Sequence, residues 1–141
     1  MNNLEQTLSI IKPDAVERNL ENEIKQMFKI KGFKIINEKK IQIEKSEAEK
    51  FYKVHETKPF YNDLCAYLSS GPIVVMVLEK ENAVLSNRKL MGATNPKDAE
   101  KGTIRKEFAE SIEANSVHGS DSLENAKSEI SFFFAEIELI Y

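Results

Sequence analysis

Two histidines, His55 and His118, are the candidates for an imidazole that acts as a nucleophile or a base. His118 is followed by Gly119 and by Ser120-Asp121-Ser122, which opens a predicted helix. A glycine permits backbone angles that other residues resist, and a helix N-terminus offers free N–H groups and a positive dipole end that favour phosphate. The turn therefore predicts a presented imidazole at an anion site. His55, at the end of an amphipathic helix, fits a structural histidine better.

A carboxylate that could orient His118 follows in the same predicted helix. Glu129 lies two turns into that helix, within reach of the ring or of Ser120. A bond to one ring nitrogen would leave the other nitrogen free to attack a substrate. A helix N-cap cluster beside a structural histidine explains the His118-Gly119-Ser120-Asp121 sequence about as well. On these residues alone both interpretations stay open.

Arginine is scarce among the 20 basic residues of the chain. Only Arg18, Arg88 and Arg105 are arginine, and the last two flank a loop that contains glycine and threonine. The planar guanidinium fork suits phosphate oxygens better than a lysine ammonium does. Surface ion pairs are the alternative interpretation, and composition alone favours it slightly.

Composition excludes several classes of protein. The formal net charge of −3 gives no general attraction to nucleic acid or anionic lipid. Cys65 is the only cysteine, so an internal disulfide is excluded and a reducing, cytoplasmic location is predicted. The first nine residues lack the basic and apolar regions of a signal peptide, and no apolar run approaches membrane-spanning length. With no linker or repeat, residues 1–141 are predicted to form one domain.

Hydrophobic periodicity predicts the elements that must position these residues. The predicted strands are Leu4–Ile11, Phe33–Ile43, Ile73–Leu78 and Ala135–Tyr141. The predicted helices run from Leu20 to Gly32, from Ser46 to His55, from Phe60 to Leu68, from Asn82 to Leu90, from Ile104 to Ala109 and from Leu123 to Ile130. Ser46 and Glu49 resemble a capping box, and Met91 to Thr103 is predicted as a long loop.

The order of these elements predicts an α+β fold. It is a ferredoxin-like four-stranded antiparallel sheet whose helices cover one face, with an inserted helix pair and the long loop between the two halves.

Four motifs, taken in order along nearly the whole chain, resemble the nucleoside diphosphate kinase family, and in particular its shorter bacterial members. They are Lys12-Pro13-Asp14-Ala15, Arg88 before Met91-Gly92-Ala93-Thr94-Asn95-Pro96, Gly102-Thr103-Ile104-Arg105, and Asn115 before His118-Gly119-Ser120-Asp121. The resemblance implies transfer of the γ-phosphate from a nucleoside triphosphate to a nucleoside diphosphate through a phosphohistidine. It also implies Mg²⁺ carried by the nucleotide phosphates, the ferredoxin-like fold, and a homo-oligomer, either a tetramer or a hexamer. Neither nucleic acid nor a membrane is an expected partner.

The family pattern also implies a role for individual residues. His118 would be the nucleophile through Nδ1, with Glu129 and Ser120 behind it and Tyr52 close by. The implied nucleotide contacts are Lys12, Arg88, Thr94 and Arg105 at the phosphates, Asn115 and Lys12 at the ribose hydroxyls, and Phe60 on the base. No side chain is expected to bind a metal directly. Tyr52 and Phe60, taken alone, also fit packing positions.

The chain departs from the family pattern at Asn22 and Lys106, where glycine is common, and at Leu78, where tryptophan is common. None of the three is a predicted catalytic residue. Lys106 follows Arg105 directly, so it bears on the backbone of the phosphate loop.

Two other functions compete with phosphotransfer. An RNA-binding module uses the same sheet, but it needs aromatic residues on its strands in a basic context, and Ile73–Leu78 has none. A catalytically silent interaction protein would be indicated by the loss of His118, which is present together with Glu129 and Lys12.

Overall fold

The computed structural model describes residues 4–112 and 114–134, and within them four strands form one antiparallel sheet in the order β2-β3-β1-β4. The strands are β1 (Leu4–Ile11), β2 (Lys34–Ile41), β3 (Ile73–Glu81) and β4 (Val117–Gly119). The helices are α1 (Pro13–Glu17), α2 (Glu21–Ile30), α3 (Lys45–Phe51), α4 (Tyr61–Leu68), α5 (Ala83–Met91), α6 (Ile104–Phe108) and α7 (Leu123–Phe133), with one 3₁₀ turn at Lys53–His55. In this part of the chain no helix has both the length and the apolar character needed to cross a bilayer.

Helices cover both faces of the sheet, whereas the sequence analysis predicted that they cover one. The reason lies in β3, where every residue from Ile73 to Leu78 is buried. The odd-numbered side chains of this run pack with α3, α4 and α7, and the even-numbered ones pack with α1, α2, α5 and α6. Because side chains alternate between faces, a strand that is apolar at every position needs cover on both sides.

The fourth described strand is β4, which the sequence analysis had interpreted as a turn. It pairs antiparallel with the end of β1, so that His118 lies opposite Ile10 and Gly119 opposite Ser9. Ile10 faces α3, α4 and α7, and His118 therefore faces the same helices. The predicted fourth strand, Ala135–Tyr141, lies outside the described residues.

Gly119 is required by close packing and not by backbone conformation, since its φ is not in the left-handed region. A Cβ atom at this position would lie 2.4 Å from Asn87 Nδ2 and 2.8 Å from Met91 Cε. Both of these residues belong to α5, which packs against the opposite face of β4. The residue that does adopt a left-handed conformation near His118 is Ser116, with φ of 71°.

The long loop was predicted from Met91 to Thr103; Met91 is the last residue of α5, and residues 92–103 contain no helix or strand. Gly92, at its start, has φ of 85°, and a Cβ atom there would lie 2.5 Å from Thr103 Oγ1, at the other end. Thr103 caps α6 by accepting the Lys106 N–H at 3.3 Å. Lys106, which replaces a glycine of the family pattern, has helical backbone angles, so the conformation of α6 does not require a glycine at this position. The closed loop brings α5, which carries Arg88, next to α6, which carries Arg105.

Candidate active site

The imidazole of His118 is held from one side by a chain of hydrogen bonds that begins in the sheet. Ser120 Oγ accepts the Leu8 N–H at 3.3 Å and donates to Glu129 Oε1 at 2.9 Å. The same carboxylate oxygen lies 2.9 Å from His118 Nε2. A proton on Nε2 that is donated to Glu129 leaves Nδ1 with a free lone pair.

Aromatic rings restrict His118 further. The ring of Phe51 lies 5.3 Å from the imidazole and that of Tyr52 lies 6.2 Å away, both nearly perpendicular to it. Tyr52 is buried and its Oη has no hydrogen-bond partner in the described structure. Burial and the nearby Glu129 raise the pKa of Tyr52, so the hydroxyl stays protonated and can donate to a ligand.

His118 opens onto a cavity of about 890 Å³. Among the predicted site residues, those lining the cavity are Lys12, Tyr52, Phe60, Thr94, Asn115 and His118. The cavity is also lined by residues that were not predicted to belong to the site, namely His55, Asp63, Leu64, Tyr67 and Ile112. Glu129 contacts the imidazole from behind and Ser120 contacts Glu129, so eight of the ten predicted residues border the cavity or belong to the hydrogen-bonded support of His118.

Lys12 and Asn115 form a buried pair in the cavity wall. Lys12 Nζ donates to Asn115 Oδ1 at 2.9 Å, and both residues are almost fully buried. Burial, and then the positive charge of Arg105, lower the pKa of Lys12 to about 8. An anionic group in the cavity would reverse this effect and favour the ammonium form.

Arg105 is buried next to Lys12, while Arg88 is exposed on α5. The two Nη atoms of Arg105 donate to the carbonyl oxygens of Gly92 and Val117, each at 3.0 Å, and its buried Nε has no partner in the described structure. Burial and the charge of Arg88 lower the pKa of Arg105 to about 10. Neither arginine lines the cavity itself.

The three cations of the site differ from Arg18 in their contacts with carboxylates. Within residues 4–112 and 114–134, neither Lys12, Arg88 nor Arg105 forms an ion pair. Arg18, by contrast, contacts the carboxylates of Asp14 and Glu110, each at 3.7 Å. Surface ion pairing, the alternative interpretation for scarce arginine, therefore describes Arg18 and not the two arginines that flank the loop.

His55 and Ile112 line the cavity, although His55 was interpreted as a structural histidine and Ile112 was not considered. The His55 ring lies 6.0 Å from that of Phe60, and its buried Nδ1 has no partner in the described part of the chain. Burial and Lys58 lower the pKa of His55, which makes the imidazole neutral at pH 7. Ile112 and Phe60 are both about half exposed at the cavity. An exposed apolar residue in a loop cannot be recognised before the loop is placed.

No group of three or more His, Cys, Asp or Glu side chains among the described residues is arranged to hold a metal ion.

Comparison with known proteins agrees with this geometry. The family model described as Nucleoside diphosphate kinase matches residues 5–139. The nucleoside diphosphate kinase of Nitratiruptor sp. is 62% identical over 137 residues, which is 97% of this chain and 100% of that protein. The nucleoside diphosphate kinase of Campylobacter fetus is 60% identical over 136 residues, covering 96% of this chain and 99% of that protein.

Solved structures give the same result. A crystal structure of the Aquifex aeolicus nucleoside diphosphate kinase superposes with a TM-score of 0.94 at 38% identity, covering 97% of this chain and 99% of that one. The enzyme from Encephalitozoon cuniculi superposes with a TM-score of 0.90 at 36% identity, covering 94% and 90%. The predicted α+β ferredoxin-like fold is confirmed. With the same fold and a match over nearly its full length, this chain belongs to the nucleoside diphosphate kinase family.

Proposed function

We propose that this chain transfers the γ-phosphate of a nucleoside triphosphate to a nucleoside diphosphate, in two steps, through a phosphohistidine at His118. The observation that carries the proposal is the asymmetry of the imidazole. One ring nitrogen is hydrogen-bonded to Glu129, and the ring borders a cavity whose wall holds the buried cation Lys12. Such a site combines a fixed nucleophile with charge that stabilises the transferred group.

In the first step Nδ1 attacks the γ-phosphorus, an N–P bond forms, and the P–O bond to the β-phosphate breaks. The nucleoside diphosphate leaves with the bonding electron pair. In the second step a terminal phosphate oxygen of the acceptor diphosphate attacks the same phosphorus, the N–P bond breaks, and His118 is restored. Glu129, bonded to Nε2, stabilises the positive charge that the ring gains in the first step.

The cations act on the moving phosphoryl group. Phosphoryl transfer depends mainly on positioning and on neutralising charge, and among the described residues neither Lys12 nor Arg105 forms an ion pair. We assign Thr94 and Arg88 to the nucleotide phosphates and the hydroxyl of Tyr52 to the transferred group. Mg²⁺ enters as part of the nucleotide substrate, bound to its phosphate oxygens.

The nucleoside end of the cavity fits a broad range of bases. Phe60 offers a ring face for stacking, and Ile112 adds a second apolar surface. Stacking tolerates any base, whereas strong discrimination requires hydrogen bonds to the base edge. Asn115 and Lys12 are assigned to the ribose hydroxyls, and use of the 3′-hydroxyl would accept ribose and deoxyribose alike.

Three further properties remain proposals. We propose that residues 1–141 form a single domain, that the chain assembles into a homo-oligomer, either a tetramer or a hexamer, and that it works in the cytoplasm. The thiol of Cys65 is free and buried, and burial raises its pKa, which is consistent with a reduced cysteine.

The test is a transfer of label in two stages. The protein is incubated with γ-labelled ATP and Mg²⁺, and an unlabelled diphosphate is then added. The protein should acquire alkali-stable, acid-labile label and pass it to the diphosphate. His118→Ala should acquire none, while His55→Ala, which removes the other histidine, should still be labelled. Label on serine, or undiminished label in His118→Ala, would disprove the proposal.

A further inference from the structure

Asp14 is a buried carboxylate that no step of the proposed reaction uses. It is the second residue of α1 and is 7% exposed. Its Oδ1 accepts a hydrogen bond from Tyr67 Oη, on α4, and its Oδ2 accepts one from Ser116 Oγ at 3.0 Å. The Asp14 N–H donates to the same Tyr67 hydroxyl at 3.0 Å. One carboxylate therefore ties α1 to α4 and to the residue that precedes β4.

Ser116 is held in a conformation that a serine rarely adopts. Its φ is 71° and the residue is completely buried. L-residues other than glycine disfavour this left-handed region, and they persist there when the surroundings fix them. The Val117 N–H donates to the Asn115 carbonyl at 2.8 Å and closes a tight turn around Ser116, and two further hydrogen bonds tie Ser116 to other segments. The hydroxyl donates to Asp14, and the carbonyl accepts the Lys12 N–H at 2.8 Å.

The conformation of Ser116 sets the positions of its neighbours. Asn115, directly before it, accepts a hydrogen bond from Lys12 Nζ at its Oδ1, at 2.9 Å, in the cavity wall. Val117, directly after it, presents the carbonyl oxygen to which Arg105 Nη2 donates at 3.0 Å. A change at Ser116 would therefore move the Asn115 amide and the Lys12 ammonium of the cavity wall, and also the Arg105 guanidinium, relative to His118.

We propose that Asp14 is a positioning residue for phosphotransfer, which holds Ser116 in its left-handed conformation and thereby places Asn115, Lys12 and Arg105. This inference rests on the proposed function for the meaning of those positions. Asp14 does not line the cavity, so it acts through Ser116 rather than on the nucleotide. It has a second, electrostatic effect, because its negative charge raises the pKa of Lys12 and opposes the effect of burial.

Position 116 offers a test in which the variants differ by one methyl group. Ser116→Gly and Ser116→Ala both remove the bond to Asp14, but only glycine adopts positive φ without strain. Ser116→Ala should lower the affinity for ADP and kcat/KM about tenfold or more, whereas Ser116→Gly should lose threefold or less. Equal losses in both variants would show that the backbone conformation is not what matters.

Asp14→Asn tests the other end of the bond. In the wild-type background it should lower kcat/KM about tenfold or more, and in the Ser116→Gly background it should cost much less. If Asp14 were merely structural, Asp14→Asn would lower kcat/KM by the same factor in the wild-type and Ser116→Gly backgrounds. Removal of its charge should also shift the alkaline limb of the pH profile below pH 8, because Arg105 and burial then act on Lys12 unopposed. An unchanged limb together with equal losses would overturn the proposal.

Glu79→Gln is the matched control. It removes one carboxylate charge and alters a hydrogen bond from Gln6, toward the other end of β1 from Lys12. Neither ADP affinity nor the pH limb should change. Because ADP affinity is measured without turnover, the inference can be tested even if wild type transfers no phosphate. A wild type that transfers phosphate, together with an inert Asp14→Asn, overturns only the positioning role.

Discussion

The two sides of the His118 ring satisfy their polar groups in different ways. On the Glu129 side, the Leu8 N–H, the Ser120 hydroxyl, the carboxylate and Nε2 form an unbroken chain of hydrogen bonds. On the cavity side, Tyr52 Oη is buried with no partner in the described part of the chain, and the same is true of Nε of Arg105, which lies outside the cavity lining. Lys12, on the same side, is buried, forms no ion pair with any described residue, and has a lowered pKa.

This difference separates the support of the nucleophile from the groups reserved for the ligand. An unsatisfied buried polar group costs about 1–3 kcal/mol, so the cavity side lowers the stability of the fold. A bound nucleotide would supply phosphate oxygens as hydrogen-bond acceptors for these donors. The support side follows the rules of a stable core, and the cavity side departs from them where the proposed chemistry takes place.

The largest expected effect is on the cavity side, at Arg105. Lysine retains the charge but loses the fork that spans the carbonyls of Gly92 and Val117. Arg105→Lys should lower kcat about 10²–10³-fold, with a smaller change in KM. Arg88→Lys, at an exposed position, should cost less. A raised KM with unchanged kcat for Arg105→Lys would contradict a role in the transition state.

Two hydroxyl deletions, one on each side of the His118 ring, should differ in their effect on stability. Ser120→Ala leaves the Leu8 N–H without its partner, and should lower the free energy of unfolding by about 1–3 kcal/mol. Tyr52→Phe removes a hydroxyl that has no partner, so stability should be unchanged or higher, while kcat falls. Chemical denaturation and steady-state kinetics on both variants measure the two effects. A Tyr52→Phe variant less stable than Ser120→Ala would contradict the comparison.

The third expected effect is a pH dependence due to Lys12. Its pKa of about 8 means that the free enzyme loses this charge as the pH rises above 8. The kcat/KM for nucleotide should therefore fall about tenfold for each pH unit above that value. Lys12→Gln should have lower activity and lack this limb. A wild-type profile that is flat between pH 8 and 9.5 would contradict the assignment.

Lys12 should also affect stability in the same pH range. Because its folded pKa lies below the ordinary lysine value of 10.5, the unfolded chain binds more protons between pH 8 and 10.5. Stability attributable to Lys12 therefore rises with pH across this window. Lys12→Gln lacks this gain, so the wild type should become more stable relative to Lys12→Gln as the pH rises from 8 to 10.5.

The smallest expected effect is at Phe60, which is 49% exposed. Stacking on an aromatic ring contributes about 1–3 kcal/mol per base, and partial exposure places this site near the lower value. Phe60→Ala should raise KM about five- to tenfold for every base. ADP, GDP, CDP, UDP and dTDP should differ in kcat/KM by no more than a few tens. Restriction to one base by four orders of magnitude would require polar base contacts and would contradict broad tolerance.

Much of this architecture could be predicted because its signals are local. The apolar run of β3, the alternation in β1 and the helical spacing after Leu20 each lie within one element. Boundaries were less accurate where two patterns overlap. Ser46 and Glu49 resemble a capping box, but α3 begins one residue earlier, and its capping box joins Glu44 and Glu47.

The remainder depends on contacts between distant segments. Strand β4 has three residues, too few for a visible alternation, and only its pairing with β1 defines it. The cavity roles of His55 and Ile112, and the bond between Asp14 and Ser116, likewise join segments far apart in the sequence. The spacing of His118 and Glu129 was informative because His118 lies shortly before α7 and Glu129 lies within the second turn of that helix.

The most direct test of phosphotransfer through His118 is the identity of the phosphorylated nitrogen. Wild-type protein with ¹⁵N-labelled histidine is phosphorylated with ATP and Mg²⁺, and the ³¹P–¹⁵N coupling and ring correlations are recorded by NMR. Because Glu129 holds Nε2, we expect phosphorus to be bonded to Nδ1 of His118. Phosphorus on Nε2 of His118, or on any other residue, would contradict it.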